Sequence, residues 1–372
     1  MRKYDYFLDT CPGVGDKRKN TILRAVKDSK EIYDMSEKDL SGLLRPEIVQ
    51  ALLQHREKWK LEEEYNKLEE KGIQLVTLPM EEYPERLRRI PDPPFALYVR
   101  GRLPGEEQLS VAVIGARDCS EYGEYVAEAL GNCLGEQGIS LISGMARGID
   151  GISQMAALKA GGASYGVLGC GVDVCYPKSN RLLYDRLLEK GGIISTYPPG
   201  TAPRASLFPP RNRIVSGLCD VLVVVEARQR SGTSITVEMA LEQGKDVYAV
   251  PGRLTDRLSD GCNRMLKDGA QIFLSPKEFV EELSMRYGNM LTLRKTASDI
   301  MIPEGEKLSE QELMVYQALD LYPLPVEKVL EKLQRKKGAQ APEFSQVMII
   351  LMGLCVKGLI VQNTSGWFSK TV

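Results

Sequence analysis

The segment 111–150 constrains the fold of this chain more than any other part of the sequence. It contains an apolar run that ends at Gly115, a helical pattern, and a second apolar run that ends at Ser143-Gly144. A strand, a glycine turn, a helix and a strand in this order form half of a doubly wound parallel sheet. Further apolar runs of strand length follow at 164–168, 192–195, 221–225 and 246–250. We therefore predict an α/β fold with an extended Rossmann-like parallel sheet covered by helices on both faces.

Each of the first two strands is followed by a short loop that contains an arginine, Arg117 in the first loop and Arg147 in the second. The ligands of open parallel sheets bind at the carboxyl ends of the strands. Because a guanidinium group matches the geometry of phosphate, two arginines at this edge indicate an anionic ligand. Any single glycine here is explained better by a tight turn. Glycines combined with arginines and hydroxyls favour a phosphate-facing surface.

The common nucleotide-binding loops are absent from the sequence. Gly115 is followed by Gly123 with no G-x-G-x-x-G between them, and the chain has no G-x-x-x-x-G-K-[ST]. A lone G-x-G at 169–171 is a weak signal. Neither a dinucleotide site nor an ATP-hydrolysing P-loop is therefore predicted.

The composition indicates an ordinary globular protein with a local binding site. The 372 residues include 27% charged and 43% hydrophobic residues, and the formal net charge is −1. Proteins that coat nucleic acids are strongly basic, so any nucleic-acid site here must be a local patch. No apolar run has the length that crosses a bilayer, and the N-terminus lacks the apolar core of an export signal. We expect a cytoplasmic protein without a membrane partner.

The cysteines and the histidine do not indicate a metal site. Eight cysteines are scattered without a C-x-x-C pair, and the single histidine is His55. Neither a zinc site nor a disulfide framework fits this spacing, whereas small buried thiols in a reducing compartment do. A single histidine leaves few possibilities for acid–base catalysis. His55 itself lies in a charged helical stretch and is expected to be solvated. We expect no metal and no cofactor.

Periodicity divides the chain into three domains and a linker. We predict an N-terminal helical domain over 1–72, a Rossmann-like domain over 73–283, a linker over 284–306 and a winged-helix domain over 307–372.

A P-G-x-G turn followed by cations at 17–19 fits a helix-hairpin-helix that holds a phosphate. It fits a plain helix–turn–helix joint equally well. The third helical pattern of the C-terminal domain is unusually apolar, which favours protein contact or packing over DNA reading.

The candidate binding residues lie in the loops after the strands and at the start of a following helix. They are Gly115, Arg117, Ser143, Gly144, Arg147, Tyr176, Lys178, Asn180, Arg211, Asn212, Arg213, Ser231, Gly232 and Thr233. The segment 231–233 offers N–H groups and hydroxyls at a helix N-terminus, which suits an anion. Bases could stack on Tyr176 and Phe208, although both rings also fit core aromatics beside prolines.

Structural roles also explain several neighbouring residues. Asp150 and Asp173 fit caps or loop staples better than catalytic acids. The arginines of 211–213 could pair with Glu226 or Glu238. As a group, the arginines and the lysine at the strand ends are harder to explain by structural pairing alone.

A series of motifs runs in order through the central domain: Gly115-Ala116-Arg117 with Tyr122-Gly123, Ser143-Gly144 with Gly148-Ile149-Asp150, Tyr176-Pro177-x-x-Asn180, Phe208-Pro209-x-Arg211-Asn212-Arg213-Ile214, Ser231-Gly232-Thr233, and Val250-Pro251-Gly252 with Gly261-x-Asn263 and Gly269-Ala270. This series resembles the DNA-processing protein A family, also called DprA or Smf. The helical N-terminal segment and the winged-helix pattern fit the layout of that family.

The resemblance implies a single-stranded DNA-binding protein that forms a homodimer. It also implies a role in natural transformation, in which the protein hands incoming DNA to the RecA recombinase. From the matching motifs, the resemblance implies that Arg117 and Lys178 bind phosphates. It also implies that the same groove is lined by Ser143-Gly144 and 211–213. Two departures are Ala116, where a hydroxyl contact is missing, and Met145-Ala146, which is expected to narrow the groove.

Two other classes of function stay open on the residues alone. Ser231-Gly232-Thr233 with Glu238 also resembles the G-G-x-G-T-x-x-E signature of phosphoribohydrolases, which release a base from a nucleoside monophosphate. Here the first two glycines are missing and Glu238 is one position late. A pure interaction adaptor that uses the winged helix is the third possibility. We expect a binding protein without catalytic residues.

Overall fold

The computed structural model describes residues 2–26, 28–229, 231–288, 308–319, 323–337, 342–364 and 366–370. The chain forms two compact units, 1–294 and 295–372, and each is described by itself. In the described part of the chain, no helix is long and apolar enough to cross a membrane.

The first unit consists of helices followed by a nine-stranded sheet with its connecting helices. The first helices are α1 (Arg2–Thr10), α2 (Asp16–Ala25), α3 (Ser29–Asp34), α4 (Glu37–Leu43), α5 (Pro46–Lys58) and α6 (Leu61–Glu70). The strands are β1 (Gln74–Thr77), β2 (Ala96–Gly101), β3 (Ser110–Ile114), β4 (Ser140–Ser143), β5 (Ser164–Val167), β6 (Gly192–Ser195), β7 (Val221–Val224), β8 (Asp246–Ala249) and β9 (Gln271–Ile272). The remaining helices are α7 (Glu85–Arg88), α8 (Glu121–Glu136), α9 (Ile149–Lys159), α10 (Arg181–Lys190), α11 (Phe208–Leu218), α12 (Gly232–Glu242), α13 (Asp260–Lys267) and α14 (Pro276–Tyr287).

The sheet is mostly parallel, with the strand order β1-β2-β6-β5-β4-β3-β7-β8-β9. Neighbouring strands from β6 to β9 are parallel, whereas β2 is antiparallel to both β1 and β6. Every residue of β3, β4, β5, β6 and β7 is buried, which explains why the sequence shows continuous apolar runs there. The predicted α/β fold with a largely parallel sheet is confirmed.

The order of the strands reverses between β3 and β7. After β3 the chain moves outward through β4, β5 and β6, and after β7 it moves the other way through β8 and β9. Because parallel crossovers are right-handed, the helices after β3 and after β7 cover opposite faces of the sheet. A crevice therefore opens at the carboxyl ends of these two strands, which is where such sheets bind ligands.

The N-terminal helices pack directly on the sheet. Phe7 and Leu8 of α1 share one hydrophobic core with Tyr98 of β2 and Ile193 of β6. Residues 1–72, which we predicted as a separate domain, therefore belong to the same compact unit as the sheet.

The cations of the P-G-x-G turn have partners within the protein. The Nζ of Lys17 lies 2.6 Å from an oxygen of Asp92, and the Nζ of buried Lys19 lies 2.7 Å from Oδ1 of buried Asp9. Arg18 donates to a backbone carbonyl of the same turn. These contacts favour the structural joint over the phosphate-holding hairpin.

His55 is not solvated, so that prediction is wrong. It is half-buried, and its ring centroid lies 5.0 Å from that of Phe7 and 4.7 Å from that of Trp59. Its Nε2 lies 3.2 Å from Oγ1 of Thr10. Burial lowers the pKa of His55. Charged neighbours in the sequence hid the fact that this face of α5 packs against α1.

The predicted linker begins too early. Helix α14 continues to Tyr287, and its residue Leu283 is fully buried against the sheet unit, so residues 284–287 complete a helix. The rest of the predicted linker, 289–306, lies outside the described residues.

The second unit contains three helices and a small antiparallel sheet within its described part. Its elements are α15 (Glu310–Ala318), β10 (Leu324–Pro325), α16 (Val326–Lys337), α17 (Phe344–Val356), β11 (Ile360–Thr364) and β12 (Trp367–Lys370). The strand order is β10-β12-β11. Val315, Val329, Leu351 and Phe368 form the centre of its hydrophobic core.

Candidate functional site

Two adjoining cavities of about 350 and 620 Å³ open at the reversal point of the sheet. The residues that line both are Arg117, Gly144, Ala146, Tyr176, Phe208 and Arg211. Gly115, Asn212 and 231–233 line the larger cavity, and Arg147 lines the smaller one. We call the two together the switch-point cleft. It contains residues from most of the loops that the sequence indicated.

An aromatic and cationic cluster lies at the centre of the switch-point cleft. The rings of Tyr176 and Phe208 are stacked, with centroids 5.6 Å apart and an interplanar angle of 26°. The guanidinium carbons of Arg117 and Arg211 lie 5.8 and 5.9 Å from the centroid of the Phe208 ring. Tyr176 is 41% exposed, so it is not a core aromatic. Exposed ring faces beside guanidinium groups suit bases linked by phosphates.

Arg117 and Arg211 differ sharply in their surroundings. Arg117 is exposed and, within the described residues, makes no hydrogen bond or ion pair. Arg211 is buried, and it donates to the carbonyl oxygens of Gly144, at 2.8 Å, and of Val167. Burial lowers the pKa of Arg211, and the nearby carboxylate of Asp150 opposes this effect. Arg117 is therefore free to meet a ligand, whereas Arg211 holds the loops after β4 and β5.

Asp150 fastens the loop after β4. Its Oδ2 accepts hydrogen bonds from the backbone N–H groups of Gly144, at 3.1 Å, and Ala146, at 3.4 Å. A Cβ atom on Gly144 would lie 2.7 Å from Nη2 of Arg211 and 2.8 Å from Oδ2 of Asp150, so this position requires glycine. The arginine and the aspartate thus flank the same glycine. The suggested pairing of Arg211 with Glu226 or Glu238 is wrong.

Asp173 has the corresponding role in the loop after β5. Its Oδ1 accepts from the N–H of Gly200 at 2.7 Å, and its Oδ2 lies 2.9 Å from Nζ of Lys71. The interpretation of Asp150 and Asp173 as structural staples is confirmed.

The N-terminus of α8, where a Rossmann dinucleotide site would bind pyrophosphate, is occupied by an internal carboxylate. Glu226, which follows β7, is 1% exposed and accepts from the N–H of Ser120 at 3.0 Å and from its hydroxyl at 2.5 Å. A Cβ atom on Gly123 would collide with this carboxylate. Burial raises the pKa of Glu226, and the Ser120 bonds oppose that shift. An external anion therefore has no access to this helix end.

The N-terminus of α12 is available to an anion instead. Ser231, Gly232 and Thr233 line the larger cavity, and the first turn of α12 has no acidic residue. The side-chain oxygen of Ser231 has no hydrogen-bond partner among the described residues. A helix end with free N–H groups and a nearby hydroxyl favours phosphate.

Several predicted site residues have structural contacts instead of lining the cleft. The hydroxyl of buried Ser143 donates to the carbonyl of Val113 at 2.6 Å. The side-chain amide of Asn180 donates to the carbonyls of Met145 and Ala146 at 3.1 and 3.0 Å. Both residues therefore shape the loops that border the cleft.

Three cationic residues of the predicted site, Arg213, Lys178 and Arg147, lie at different positions relative to the cleft. The Nη2 of Arg213 lies 3.1 Å from an oxygen of Asp16, which fastens α11 to α2 and keeps Arg213 out of the cleft. Lys178 is exposed and lies at the rim, between two residues that line the smaller cavity. Arg147 lines that cavity and lies 3.8 Å from an oxygen of exposed Asp118.

Two further positions differ from expectation. Met145 is fully buried and does not line the cleft, so of the pair Met145-Ala146, which we expected to narrow the groove, only Ala146 borders it. Arg204 is exposed and lines the larger cavity, although the sequence did not single it out. Arg204 does not lie directly after a predicted strand. Its position four residues before Phe208, in a recognised motif, was the sequence signal that could have identified it.

The sequence relationships agree with this site. Residues 74–284 match the family described as DNA recombination-mediator protein A. The chain belongs to this family. The family membership expected from the motifs is thereby confirmed. All residues that line the switch-point cleft fall within the matched range.

Similar proteins include named members of the DprA group. The chain is 42% identical over 200 residues to DNA processing protein DprA of Streptococcus pneumoniae, covering 54% of this chain and 71% of that protein. The solved structure of DprA from S. pneumoniae has a TM-score of 0.65 and 31% identity, with 76% of this chain and 98% of that chain covered. The structure of DprA from Helicobacter pylori, described for its single-stranded DNA binding mode, has a TM-score of 0.52 and 30% identity, with 57% and 97% covered.

Proposed function

We propose that this member of the recombination-mediator protein A family binds single-stranded DNA in the switch-point cleft. Arg117 and the N-terminus of α12 would contact phosphates, while Tyr176 and Phe208 would stack on bases. The observation that carries the proposal is the stacked, partly exposed pair of Tyr176 and Phe208, with the guanidinium groups of Arg117 and Arg211 beside the Phe208 ring. The single-stranded DNA binding described for the H. pylori relative supports it.

Single strands are favoured over duplexes because bases can stack on protein rings only when they are unpaired. We expect affinity for single-stranded DNA to exceed that for duplex of equal length by at least about tenfold, since stacking contributes about 1–3 kcal/mol per base. Electrophoretic mobility shifts at two salt concentrations measure both quantities. The slope of log affinity against log salt should be about −0.7 per neutralised phosphate. Equal affinity for both forms would contradict the proposal.

The cellular role that we propose is DNA processing during natural transformation, in which a homodimer transfers incoming single strands to the RecA recombinase. The support is the family membership together with the named relatives. The exposed apolar side chain of Leu241 on α12, which does not line the cleft, provides surface for self-association.

We also propose that the second unit is a winged-helix domain. Its support is the order of elements, in which α15, β10, α16 and α17 precede the hairpin of β11 and β12. Helix α17, at the position of a recognition helix, contains no charged residue. Phosphate contact is therefore not supported at α17, and contact with protein is the better interpretation.

The chain is proposed to be a binding protein and not a hydrolase. The buried carboxylates near the cleft, Asp150 and Glu226, both accept backbone N–H bonds and are thereby occupied. Glu238 is exposed on α12 and does not line the cleft. A general acid or base must reach the reacting atoms. Glu226 and Glu238 do not line the cleft, and Asp150, which lines the larger cavity, is held by the N–H groups of Gly144 and Ala146.

We expect no release of adenine from adenosine monophosphate above a protein-free control. Glu238→Gln should leave single-strand affinity unchanged. Chromatographic assay of free base, with the wild type and this variant in parallel, checks both. Release of adenine that Glu238→Gln abolishes would replace the binding proposal with the hydrolase.

A further inference from the structure

Two exposed arginines outside the switch-point cleft contrast with several paired surface arginines on helices of the first unit. Four of these are paired with carboxylates: Arg181 with Asp185 at 3.0 Å, Arg186 with Glu189 at 3.2 Å, Arg264 with Asp268 at 2.9 Å and Arg286 with Asp246 at 2.6 Å. Arg228 and Arg257 are exposed, and no hydrogen bond or ion pair of their side chains occurs within the described part of the chain. Each therefore presents an uncompensated positive charge.

The backbone brings the two chain segments that carry these arginines together. Arg228 follows β7, and Arg257 belongs to the loop between β8 and α13. The N–H of Ala227 donates to the carbonyl of Leu258 at 2.8 Å, so the arginines adjoin two residues that are hydrogen-bonded to each other. Two guanidinium groups on adjacent stretches of chain suit a shared phosphate.

The nearby carboxylates already have structural roles. Oδ1 of Asp256 accepts from the N–H of Leu258 at 3.0 Å. Asp260 is the first residue of α13, where a negative charge is favoured by the helix end. Glu226 is buried against Ser120. The arginine pair is thus left to an external anion.

The pair continues the edge along which the cleft opens. The carboxyl ends of β3, β7 and β8 lie side by side, because these strands are parallel neighbours. Arg228 precedes the start of α12 at Gly232 by four residues, and that helix end lines the cleft. Positive groups therefore follow one another from Arg117, across the N-terminus of α12, to Arg228 and Arg257.

We propose that Arg228 and Arg257 hold a phosphate of the bound strand beyond the switch-point cleft, so that the strand extends along the carboxyl edge of the sheet over β7 and β8. This inference rests on the proposed binding of single-stranded DNA. It adds a contact that only a strand longer than the cleft can reach.

The test compares oligothymidylates of about 5 and about 20 nucleotides, within and beyond the usual range of single-strand site sizes. The Arg228→Ala/Arg257→Ala variant should bind the long strand roughly tenfold more weakly, as expected for loss of charge-assisted hydrogen bonds. Its salt slope on the long strand should fall by about 0.7 per lost phosphate contact. Affinity for the short strand should be unchanged.

The matched control is Arg186→Ala/Arg264→Ala, which removes the same charge from exposed, carboxylate-paired positions on α10 and α13. It should leave both affinities near those of the wild type. Unchanged long-strand binding in the test variant overturns the inference, and so does equal weakening on both lengths or an equal effect of the control. Failure of the wild type to bind either strand would instead refute the proposed function itself.

Discussion

Arg117→Ala is expected to weaken binding of single-stranded DNA by about 10- to 150-fold, which corresponds to the roughly 1.5–3 kcal/mol of a hydrogen bond to a charged group. The guanidinium is exposed at the centre of the cleft, and its described contact is the face of Phe208. Because no internal bond is lost, the melting temperature should stay near that of the wild type. Fluorescence anisotropy with a labelled oligothymidylate measures the affinity, and thermal unfolding measures the stability.

Two variants place this result in context. Arg186→Ala removes the same charge from an exposed position on α10 and should change affinity little. Lys178→Ala removes a cation at the rim of the cleft and should have a smaller effect than Arg117→Ala. Wild-type affinity in the Arg117→Ala/Lys178→Ala double variant would refute the placement of the strand in this cleft.

Asp150→Ala is expected to lower the free energy of unfolding by about 1–3 kcal/mol or more, the usual cost of leaving buried hydrogen-bonding groups without a partner, which rises beside a charged group. Arg211 would keep its buried charge without the carboxylate that opposes its desolvation. The N–H groups of Gly144 and Ala146 would also lose their acceptor. Urea unfolding followed by circular dichroism measures the change.

Two further variants separate charge from hydrogen bonding at this position. Asp150→Asn keeps an acceptor oxygen, so its loss should be smaller than that of Asp150→Ala. Asp150→Ala/Arg211→Met removes both charges and should be more stable than Asp150→Ala alone, because no buried charge is left unpaired. A loss below about 1 kcal/mol in Asp150→Ala would show that Arg211 does not depend on this carboxylate.

The sequence predicted the sheet and its ligand-binding edge because those depend on local patterns. Buried parallel strands require continuous apolar runs, and close packing at Gly115 and Gly144 leaves little room for a Cβ atom, so both features are visible in 111–150. The loop arginines were recognised for the same reason.

The separate roles of the arginines could not be predicted, since they depend on contacts between distant parts of the chain. Arg211 and Arg213 belong to one motif, yet the first is buried against the carbonyls of Gly144 and Val167. The second bonds to Asp16, which lies 197 positions away in the sequence. The packing of α11 determines that Arg211 is buried and that Arg213 is neutralised. The spacing of residues in the sequence does not reveal this packing.

The carboxylate of Glu226 at the start of α8 has a consequence for selectivity in the cell. Mononucleotides and dinucleotide cofactors are abundant competitors for any protein built on this kind of sheet, because they carry the same phosphates as a DNA strand. Because the Glu226 carboxylate occupies the N-terminus of α8, a free nucleotide cannot bind at the position where such folds bind pyrophosphate. A polymer that spans several weaker contacts along the edge gains from each of them, whereas a monomer gains from one. For the strand binding that we propose, the occupied helix end thus favours long strands over free nucleotides without any contact to the DNA itself.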